Sequence, residues 1–201
     1  GATRASLLGS RVYNPFNDGG SEIHDRAGQG RIDVFFLGGG QIDGTGNINL
    51  VGIGEYPEVD TRFPGSFGSG FLYFMVPRVI LFREEHSRRV FVPEVDFISA
   101  AGSSPDNVYR RGGPYALVSN LCVFIYDRSR NRFRLDSLHP GTTLEEVRDN
   151  TGFDYDCPND PITTPRPEPE RLDLIRDRIA GELAETYPEF ASQRLGLIPQ
   201  N

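Results

Sequence analysis

The 201-residue sequence contains no lysine and no tryptophan, and it has only two cysteines and one methionine. All 21 positions that carry a Lys or an Arg are therefore arginines. This excludes a Schiff-base lysine, an anchor for pyridoxal phosphate and the lysine of a phosphate-binding loop from this chain. Any anion that binds here must be held by guanidinium groups or by backbone N–H groups.

Positive charge is in deficit as well, because the formal net charge is −7 and the isoelectric point is about 5.0. A nucleic-acid partner is therefore not expected. Cys122 and Cys157 lack the spacing typical of zinc sites, and we expect two free thiols in a reducing compartment. No apolar run approaches the length of a membrane span, so the sequence predicts a soluble cytoplasmic protein without a membrane partner.

Glycine and proline are abundant, with 23 and 15 residues, and they separate short apolar runs. Those runs predict strands over 31–39, 47–54, 78–85 and 88–99, and a hairpin of 115–127 with 132–140. Helices are predicted before Pro77, between a Thr142 or Thr143 cap and Gly152, and over 169–184, where Leu172, Ile175, Ile179 and Leu183 share one face. The pattern predicts a single α/β domain whose C-terminal helix packs on the sheet or on a partner.

The stretch "GGGQIDGTGNIN" (38–49) places three glycines directly after an apolar strand. Glycine is favoured where a backbone passes close to another group or takes a positive φ. The alternating Asp43, Thr45, Asn47 and Asn49 resemble a calcium loop only weakly, since Gly54 stands where such a loop needs a glutamate. We therefore predict a turn with a functional backbone, and no metal site.

A second glycine-rich stretch, "PGSFGSG" (64–70), precedes a predicted helix. Neither Ser66 nor Ser69 has the glycine spacing of a nucleophile elbow. Unpaired N–H groups at such a loop can hold a phosphate, a carboxylate or a developing oxyanion, and the alternative is an ordinary connection. The three histidines, His24, His86 and His139, have no metal or triad spacing, and we expect them to be structural, with His86 in a solvated charged segment.

Six segments, taken in order, resemble the β subunit of family I coenzyme A transferases of the glutaconate CoA-transferase type. They are "GGGQIDGTGNIN", "TRFPGSFGSG", "RRVFVPEVDFIS", "LVSNLCVFIYD", "SLHPGTTLEEVRDNTGFD" and "LIRDRI". The resemblance implies an α/β fold with an open CoA-transferase-type sheet flanked by helices. It also implies a homologous α subunit in a heterodimer or heterotetramer, with the active site at the interface. Residues 1–201 would form one domain that lacks the N-terminal part of the full subunit.

The resemblance further implies that the glycine loops line a site for coenzyme A, which enters as an acyl-CoA substrate, with no metal. The backbone of Gly68 would form the oxyanion hole that polarises the thioester carbonyl. The residues expected to contact the substrate are Gly39, Gly40, Gln41, Asn47, Gly65, Ser66 and Phe67. The predicted reaction moves coenzyme A between an acyl-CoA and a carboxylic acid in catabolism.

Two departures from the family pattern keep alternatives open. The transferases use a glutamate nucleophile in an "ESG"-like motif that this sequence lacks, since Glu22 and Glu55 have other surroundings. The glutamate would then precede Gly1 or lie on the partner, or this chain would be a non-catalytic partner subunit. In addition, Phe67 interrupts the "GSGG" pattern of the glycine loop. Its bulk favours an acyl-CoA C–C hydrolase or a decarboxylase on the same fold. The segments "LVSNL" and "SLHPG" also resemble the β subunit of a steroid-ring-cleaving hydrolase of this kind.

Overall fold

The computed structural model describes residues 19–196, and the chain divides into two compact units that are treated separately below. The larger unit is Ile23–Thr164, and the smaller unit combines Gly1–Glu22 with Pro165–Asn201. The prediction of a single domain over 1–201 stays a prediction. No helix in the described range is both long enough and apolar enough to cross a membrane.

Ten strands occur in the described chain. They are β1 (Val34–Leu37), β2 (Gln41–Ile42), β3 (Ile48–Asn49), β4 (Gly52–Ile53), β5 (Thr61–Arg62), β6 (Arg78–Arg83), β7 (Pro114–Ser119), β8 (Cys122–Asp127), β9 (Arg132–Leu138) and β10 (Ile162–Thr163). The helical segments are α1 (Gly19–Gly28), α2 (Ser69–Met75), α3 (Leu144–Asn150), α4 (Pro169–Leu174), a π-helical turn (Ile175–Ile179), α5 (Ala180–Ala184) and α6 (Pro188–Leu195).

Six strands form the main sheet in the order β1-β6-β7-β8-β9-β10. The pairs β1–β6, β6–β7 and β9–β10 are parallel, whereas β7–β8 and β8–β9 are antiparallel. The remaining strands form two small antiparallel ladders, β2–β3 and β4–β5, which carry the glycine-rich segments. A mixed sheet with helices confirms the predicted α/β class.

The core of the larger unit forms between the inner face of the sheet and the segments packed on it. In β8, buried and half-buried residues alternate, as expected for a strand with one face toward a core. Phe124 contacts Phe133 and Phe153 with ring centroids 6.2 and 6.0 Å apart, and Tyr73 and Phe91 are fully buried. Aromatic pairs at these separations add to the free energy gained by burial.

Two of the predicted strands have a different form. Segment 88–99 contains no ladder, only a single bridge of Phe91 with Ile42, and a second bridge joins Ala100, directly after it, to Ile48, so the strand prediction is wrong there. The N–H of Phe91 turns back to the Ser87 carbonyl, and Pro93 has no N–H to donate. Segment 47–54 is split into β3 and β4 by a tight turn.

The predicted strand 115–127 is likewise two strands, β7 and β8, which form a hairpin of their own. The Ser119 hydroxyl makes the turn, since it accepts hydrogen bonds from the N–H groups of Leu121 at 3.1 Å and Cys122 at 3.2 Å. The predicted pairing of 115–127 with 132–140 holds for β8 and β9. A serine that bonds to the backbone two or three residues ahead is a typical turn former.

The helix predictions hold more closely. Thr143 caps α3, with its hydroxyl accepting the Glu146 N–H at 3.1 Å, as the threonine–glutamate spacing predicts. In the smaller unit, segment 169–184 is helical throughout, although the π-helical turn interrupts the regular α-helix. The four predicted apolar positions are all half-buried: Leu172, Ile175, Ile179 and Leu183.

Candidate functional site

The first glycine loop, residues 38–40, follows β1 and leads into β2. Packing requires glycine at two of its positions. A Cβ on Gly39 would lie 2.8 Å from Cγ2 of Ile48, and a Cβ on Gly40 would lie 2.3 Å from Cε2 of Phe63. Both distances are shorter than real Cβ contacts, so the loop can sit this close to its neighbours only without side chains.

The second glycine loop, residues 64–68, leads into α2, and the structure brings it against the first. Phe63 is the link, because its ring covers Gly40 while its N–H donates to the Val51 carbonyl at 2.9 Å. A Cβ on Gly65 would lie 2.8 Å from the carbonyl oxygen of Leu50. The two glycine-rich stretches that sequence reasoning selected independently are therefore linked through Phe63 and Leu50.

Gln41 is a structural anchor of the first loop. It is 4% exposed, and its side-chain oxygen accepts hydrogen bonds from Asn49 Nδ2 at 2.7 Å and from the Asp96 N–H at 3.0 Å. Asn49 also donates to the Gly52 carbonyl and accepts from the Val51 N–H. This buried network holds the ladders β2–β3 and β4–β5 in register beneath the glycine loops.

Asn47 holds the turn between β2 and β3. Its Nδ2 donates to Asp43 Oδ2 at 3.0 Å, and its Oδ1 accepts the Gly102 N–H at 3.0 Å. The other Asp43 oxygen accepts from the hydroxyl and the N–H of Thr45. The polar residues of the weak calcium-loop pattern thus bond to one another, and residues 19–196 contain no group of three or more His, Cys, Asp or Glu side chains arranged to hold a metal.

The second loop presents backbone rather than side chains to its surroundings. Ser66 has a φ of 139° and Gly68 a φ of 71°, and Gly68 caps α2 without any side-chain hydrogen bond. The first N–H groups of a helix have no acceptor inside the helix, so they can bind an anionic oxygen. Phe67, between these two residues, is 92% exposed. The loop therefore combines backbone N–H groups at a helix start with an exposed aromatic side chain.

His24 also contacts the second loop, and sequence reasoning missed this contact. A Cβ on Gly68 would lie 2.5 Å from Nε2 of His24, so the imidazole of α1 rests directly on the loop backbone. Its ring centroid is 6.0 Å from that of Phe67 and 5.5 Å from that of Phe71. The contact is remote in sequence, and the i, i+4 spacing of Phe67 and Phe71 is the only local signal that could have indicated an aromatic cluster here.

The other two histidines lie away from the loops. His86 is buried rather than solvated, which corrects the prediction, and it is hydrogen-bonded to Ser119 and Thr151. Burial lowers the pKa of His86 to about 4 and raises the pKa of the neighbouring Cys122 thiol to about 12. His139 contacts the Thr164 hydroxyl and the Ser119 carbonyl. These side chains are held by the fold, as expected of structural residues.

An α/β sheet with glycine-rich loops beside a helix start defines a structural class that can hold an acyl or phosphoryl group on backbone N–H donors. Within that class the family is known, because the model of the family described as "Coenzyme A transferase" matches residues 5–150. The chain belongs to this family.

The chain is similar to B subunits of known enzymes. It is 34% identical over 153 residues to the B subunit of the 3-oxoadipate CoA-transferase of Pseudomonas knackmussii, covering 73% of this chain and 58% of the relative. It is 30% identical over 167 residues to the B subunit of the glutaconate CoA-transferase of Acidaminococcus fermentans, covering 80% and 62%. It is 34% identical over 160 residues to the cholesterol ring-cleaving hydrolase IpdB subunit of Rhodococcus jostii, covering 78% and 62%.

The chain is also similar in fold to solved structures of related proteins. The chain aligns with IpdAB of Rhodococcus jostii RHA1 at a TM-score of 0.72 and 33% identity, covering 78% of this chain and 64% of that one. It aligns with the decarboxylase AibA/AibB at a TM-score of 0.68 and 29% identity, covering 78% and 61%. The chain thus spans about three fifths of the length of the relatives it matches, between 58% and 62% of the curated ones.

Proposed function

We propose that this chain is the B-type subunit of an enzyme that moves coenzyme A between an acyl-CoA and a carboxylic acid, in association with a homologous A-type subunit. Family membership and the two transferase relatives support this assignment. The observation that carries it is the Gly68 backbone, which begins α2 at a φ of 71° and has no side chain of its own to block a bound carbonyl.

In this reaction a glutamate from outside the described residues attacks the thioester carbonyl. The C–S bond breaks, the CoA thiolate departs, and an acyl–glutamyl anhydride remains on the enzyme. The thiolate then attacks the glutamyl carbonyl, which releases the original acid and gives a glutamyl-CoA thioester. The acceptor carboxylate repeats the sequence in reverse and takes the CoA. Each addition places negative charge on a carbonyl oxygen, and the N–H at Gly68 would stabilise that charge.

The remaining site residues would shape the pocket around this oxygen. Gly39 packs on Ile48, Gly40 on Phe63 and Gly65 on Leu50, and we propose that the acyl-CoA passes over the backbone of these glycines. Gln41 and Asn47 would act by holding the first loop, because their side chains are hydrogen-bonded within the fold. Ser66 and Phe67 would face the acyl group.

We place this enzyme in the cytoplasm, in the catabolism of carboxylic acids. The buried Cys122 and the half-buried Cys157 are both free thiols, which is in keeping with a reducing compartment.

A second candidate function is a hydrolase or decarboxylase that acts on an acyl-CoA, with a carboxylate as general base instead of nucleophile. Phe67 favours it, because an exposed phenyl ring stands at a position where the transferase pattern has glycine. The similarity to the IpdB subunit and to AibA/AibB supports the same alternative.

Covalent trapping distinguishes these reactions. The chain, purified as a complex with its A-type subunit, is incubated with an acyl-CoA and treated with borohydride, and the intact mass of every chain is measured. A CoA adduct before reduction and a reduced glutamate after it would establish the transferase and show which chain carries the nucleophile. Consumed acyl-CoA with unmodified chains would exclude that mechanism and favour the hydrolase or decarboxylase.

The contribution of this chain is tested with Gly68→Ala, which needs a matched control because alanine is strained at positive φ wherever it is placed. Gly141 has a φ of 90° with nothing within 4 Å of its Cβ position, so Gly141→Ala introduces the strain alone. We expect Gly68→Ala to lose turnover in an intact complex while Gly141→Ala keeps it. Full turnover in both would leave this chain as a non-catalytic scaffold.

A further inference from the structure

We propose that Arg110 and Arg128 form a binding site for a phosphate group, separate from the glycine loops. Both arginines line a cavity of about 210 Å³ between the loop 102–112 and the turn that joins β8 to β9. Sites for whole drug-sized ligands measure roughly 300–1,000 Å³, so this cavity suits a single charged group. The proposal does not depend on the reaction proposed above.

The first observation is that these two arginines have no carboxylate partner. Neither Arg110 nor Arg128 forms an ion pair with a residue in the range 19–196. Arg130 and Arg132, which lie close to Arg128 in the sequence, both pair with the carboxylate of Asp156. Because the chain has no lysine, such unpaired guanidinium groups are the side chains with which it can hold an anion.

The second observation is that the two positive charges act on each other. Burial lowers the pKa of Arg110, and the charge of Arg128 lowers it as well, whereas Tyr73 and Tyr126 act in the opposite direction. Two like charges in the wall of one cavity repel each other. An oxyanion bound between them would replace this repulsion with charge-assisted hydrogen bonds.

The third observation is that both guanidinium groups are held in place and keep free donors. Arg110 donates three hydrogen bonds to backbone carbonyls at 2.7, 2.9 and 3.2 Å, and Arg128 donates two, one of them to the Pro77 carbonyl at 2.6 Å. Nη1 of Arg110 makes only a long contact of 3.4 Å to the Ser104 hydroxyl, which also lines the cavity. Each arginine has five N–H groups, so both keep donors for a phosphate.

The site lies at a different edge of the sheet from the first glycine loop. Arg128 bonds to Pro77, directly before β6, whereas Gly38 directly follows β1. These strands run parallel with Leu37 opposite Leu81, so the two positions are separated by about 13 Å along the strands. A phosphate here would come either from a part of coenzyme A remote from the thioester or from a separate phosphate-bearing molecule.

The first arm of the test is calorimetry with inorganic phosphate on the complex of this chain with its A-type subunit. Arg128→Gln removes one charge from the cavity, and Arg130→Gln, the matched control, removes a charge from the same turn outside the cavity. We expect the Kd for phosphate to rise about tenfold in Arg128→Gln and to stay within about twofold in Arg130→Gln.

Asp106→Asn supplies a change of the opposite sign. Asp106 is exposed and is the one acidic residue among the described residues that line the cavity. Its removal should lower the Kd for phosphate by about threefold, since a repulsive charge is lost. Because its side chain forms no hydrogen bond or ion pair with the described part of the chain, this variant leaves the internal bonds of the fold in place.

The second arm separates the two sources of the phosphate, with coenzyme A and dephospho-CoA, which lacks the 3′-phosphate, as probes. If the 3′-phosphate occupies the site, Arg128→Gln weakens binding of coenzyme A but not of dephospho-CoA. If the diphosphate occupies it, Arg128→Gln weakens binding of both. If the ligand is a separate molecule, both bind Arg128→Gln normally while inorganic phosphate does not.

The outcomes are decisive in each direction. Phosphate and coenzyme A that bind Arg128→Gln as well as they bind the unsubstituted complex overturn the site and leave the proposed function intact. Coenzyme A that does not bind, beside phosphate that depends on Arg128, overturns the proposed function and leaves the site. Should Arg128→Gln fail to assemble, an unchanged Kd for phosphate in Asp106→Asn overturns the proposal.

Discussion

The Nδ1 atom of His86 lies 2.7 Å from the Ser119 hydroxyl oxygen, and its Nε2 lies 2.8 Å from the hydroxyl oxygen of Thr151. Thr151 donates its own hydroxyl proton to the Val147 carbonyl at 2.7 Å, so Nε2 must be the donor toward Thr151. Nδ1 is then the acceptor for Ser119. The pair therefore fixes a neutral imidazole between β7 and the end of α3, in surroundings that favour the uncharged ring.

This arrangement predicts a loss of stability in acid. Burial lowers the pKa of His86 from 6.5 to about 4, so as pH falls below 6.5 the unfolded chain takes up a proton that the folded chain does not accept until about pH 4. The free energy of unfolding then falls with pH over this window, by about 2 kcal/mol between pH 7.5 and 4.5.

Urea unfolding at pH 7.5 and 4.5 measures this loss, with His86→Gln as the comparison. Glutamine can donate and accept in the same place but does not titrate, and all other titrating groups cancel between the two proteins. We expect the acid loss to be about 2 kcal/mol smaller in the variant. An equal loss in both proteins would show that His86 does not carry the effect.

The buried amide network beneath the first glycine loop predicts a large effect for Asn49→Ala. Alanine would leave the Gln41 side-chain oxygen and the Gly52 carbonyl without their Asn49 partner, and the Val51 and Gly52 N–H groups would lose an acceptor. We expect a cost of about 3 kcal/mol in the free energy of unfolding, since several buried polar groups become unsatisfied. Chemical denaturation measures it, with the exposed Asn107→Ala as a control that should change stability by less than about 0.5 kcal/mol.

In the second loop, by contrast, a substitution is expected to raise the free energy of unfolding. Ser66 has a φ of 139°, which residues with a side chain rarely adopt, and such strain costs on the order of 1–3 kcal/mol. Glycine adopts this conformation freely, so Ser66→Gly should stabilise the folded chain by about 1 kcal/mol after the entropy cost of glycine is deducted. Ser103→Gly, in an exposed loop with negative φ, should instead be slightly destabilising. Thermal unfolding compares the two, and a lower midpoint for Ser66→Gly would mean that the serine side chain supports the loop.

Local signals explain what could be predicted of this fold. The apolar run before Gly38, the glycines before α2 and the threonine cap of α3 are each decided by neighbours in sequence, and the corresponding elements formed as expected. Segment 88–99 has the composition of a strand, but its N–H groups are used by a local turn and by single bridges. Composition cannot reveal that a strand lacks a neighbour with which to pair.

The candidate site likewise has one part that the local sequence predicts and another part that it does not. The glycine loops could be found from composition, since a cluster of glycines has few other physical explanations. Their meeting through Phe63, the burial of His86 and the contact of His24 with Gly68 depend on residues far apart in the chain. Such long-range contacts leave no periodic signal in a single sequence, so histidines that look alike in the sequence have different surroundings in the fold.

The proposed function predicts that Phe67 affects the choice of acyl group. The side chain is 92% exposed and contacts the His24 ring, so replacing it with the glycine of the transferase pattern removes an exposed ring without opening the core. We expect Phe67→Gly to change the free energy of unfolding by less than about 1 kcal/mol.

The acyl preference of this variant should shift, with kcat/KM rising for branched or cyclic acyl-CoA relative to short linear ones. The ratio of kcat/KM values across an acyl-CoA series measures this, and Tyr109→Gly, at an equally exposed site outside the loop, is the control. If the ratio is the same in Phe67→Gly and in the unsubstituted enzyme, the ring does not face the acyl group and its support for a hydrolase or decarboxylase is lost.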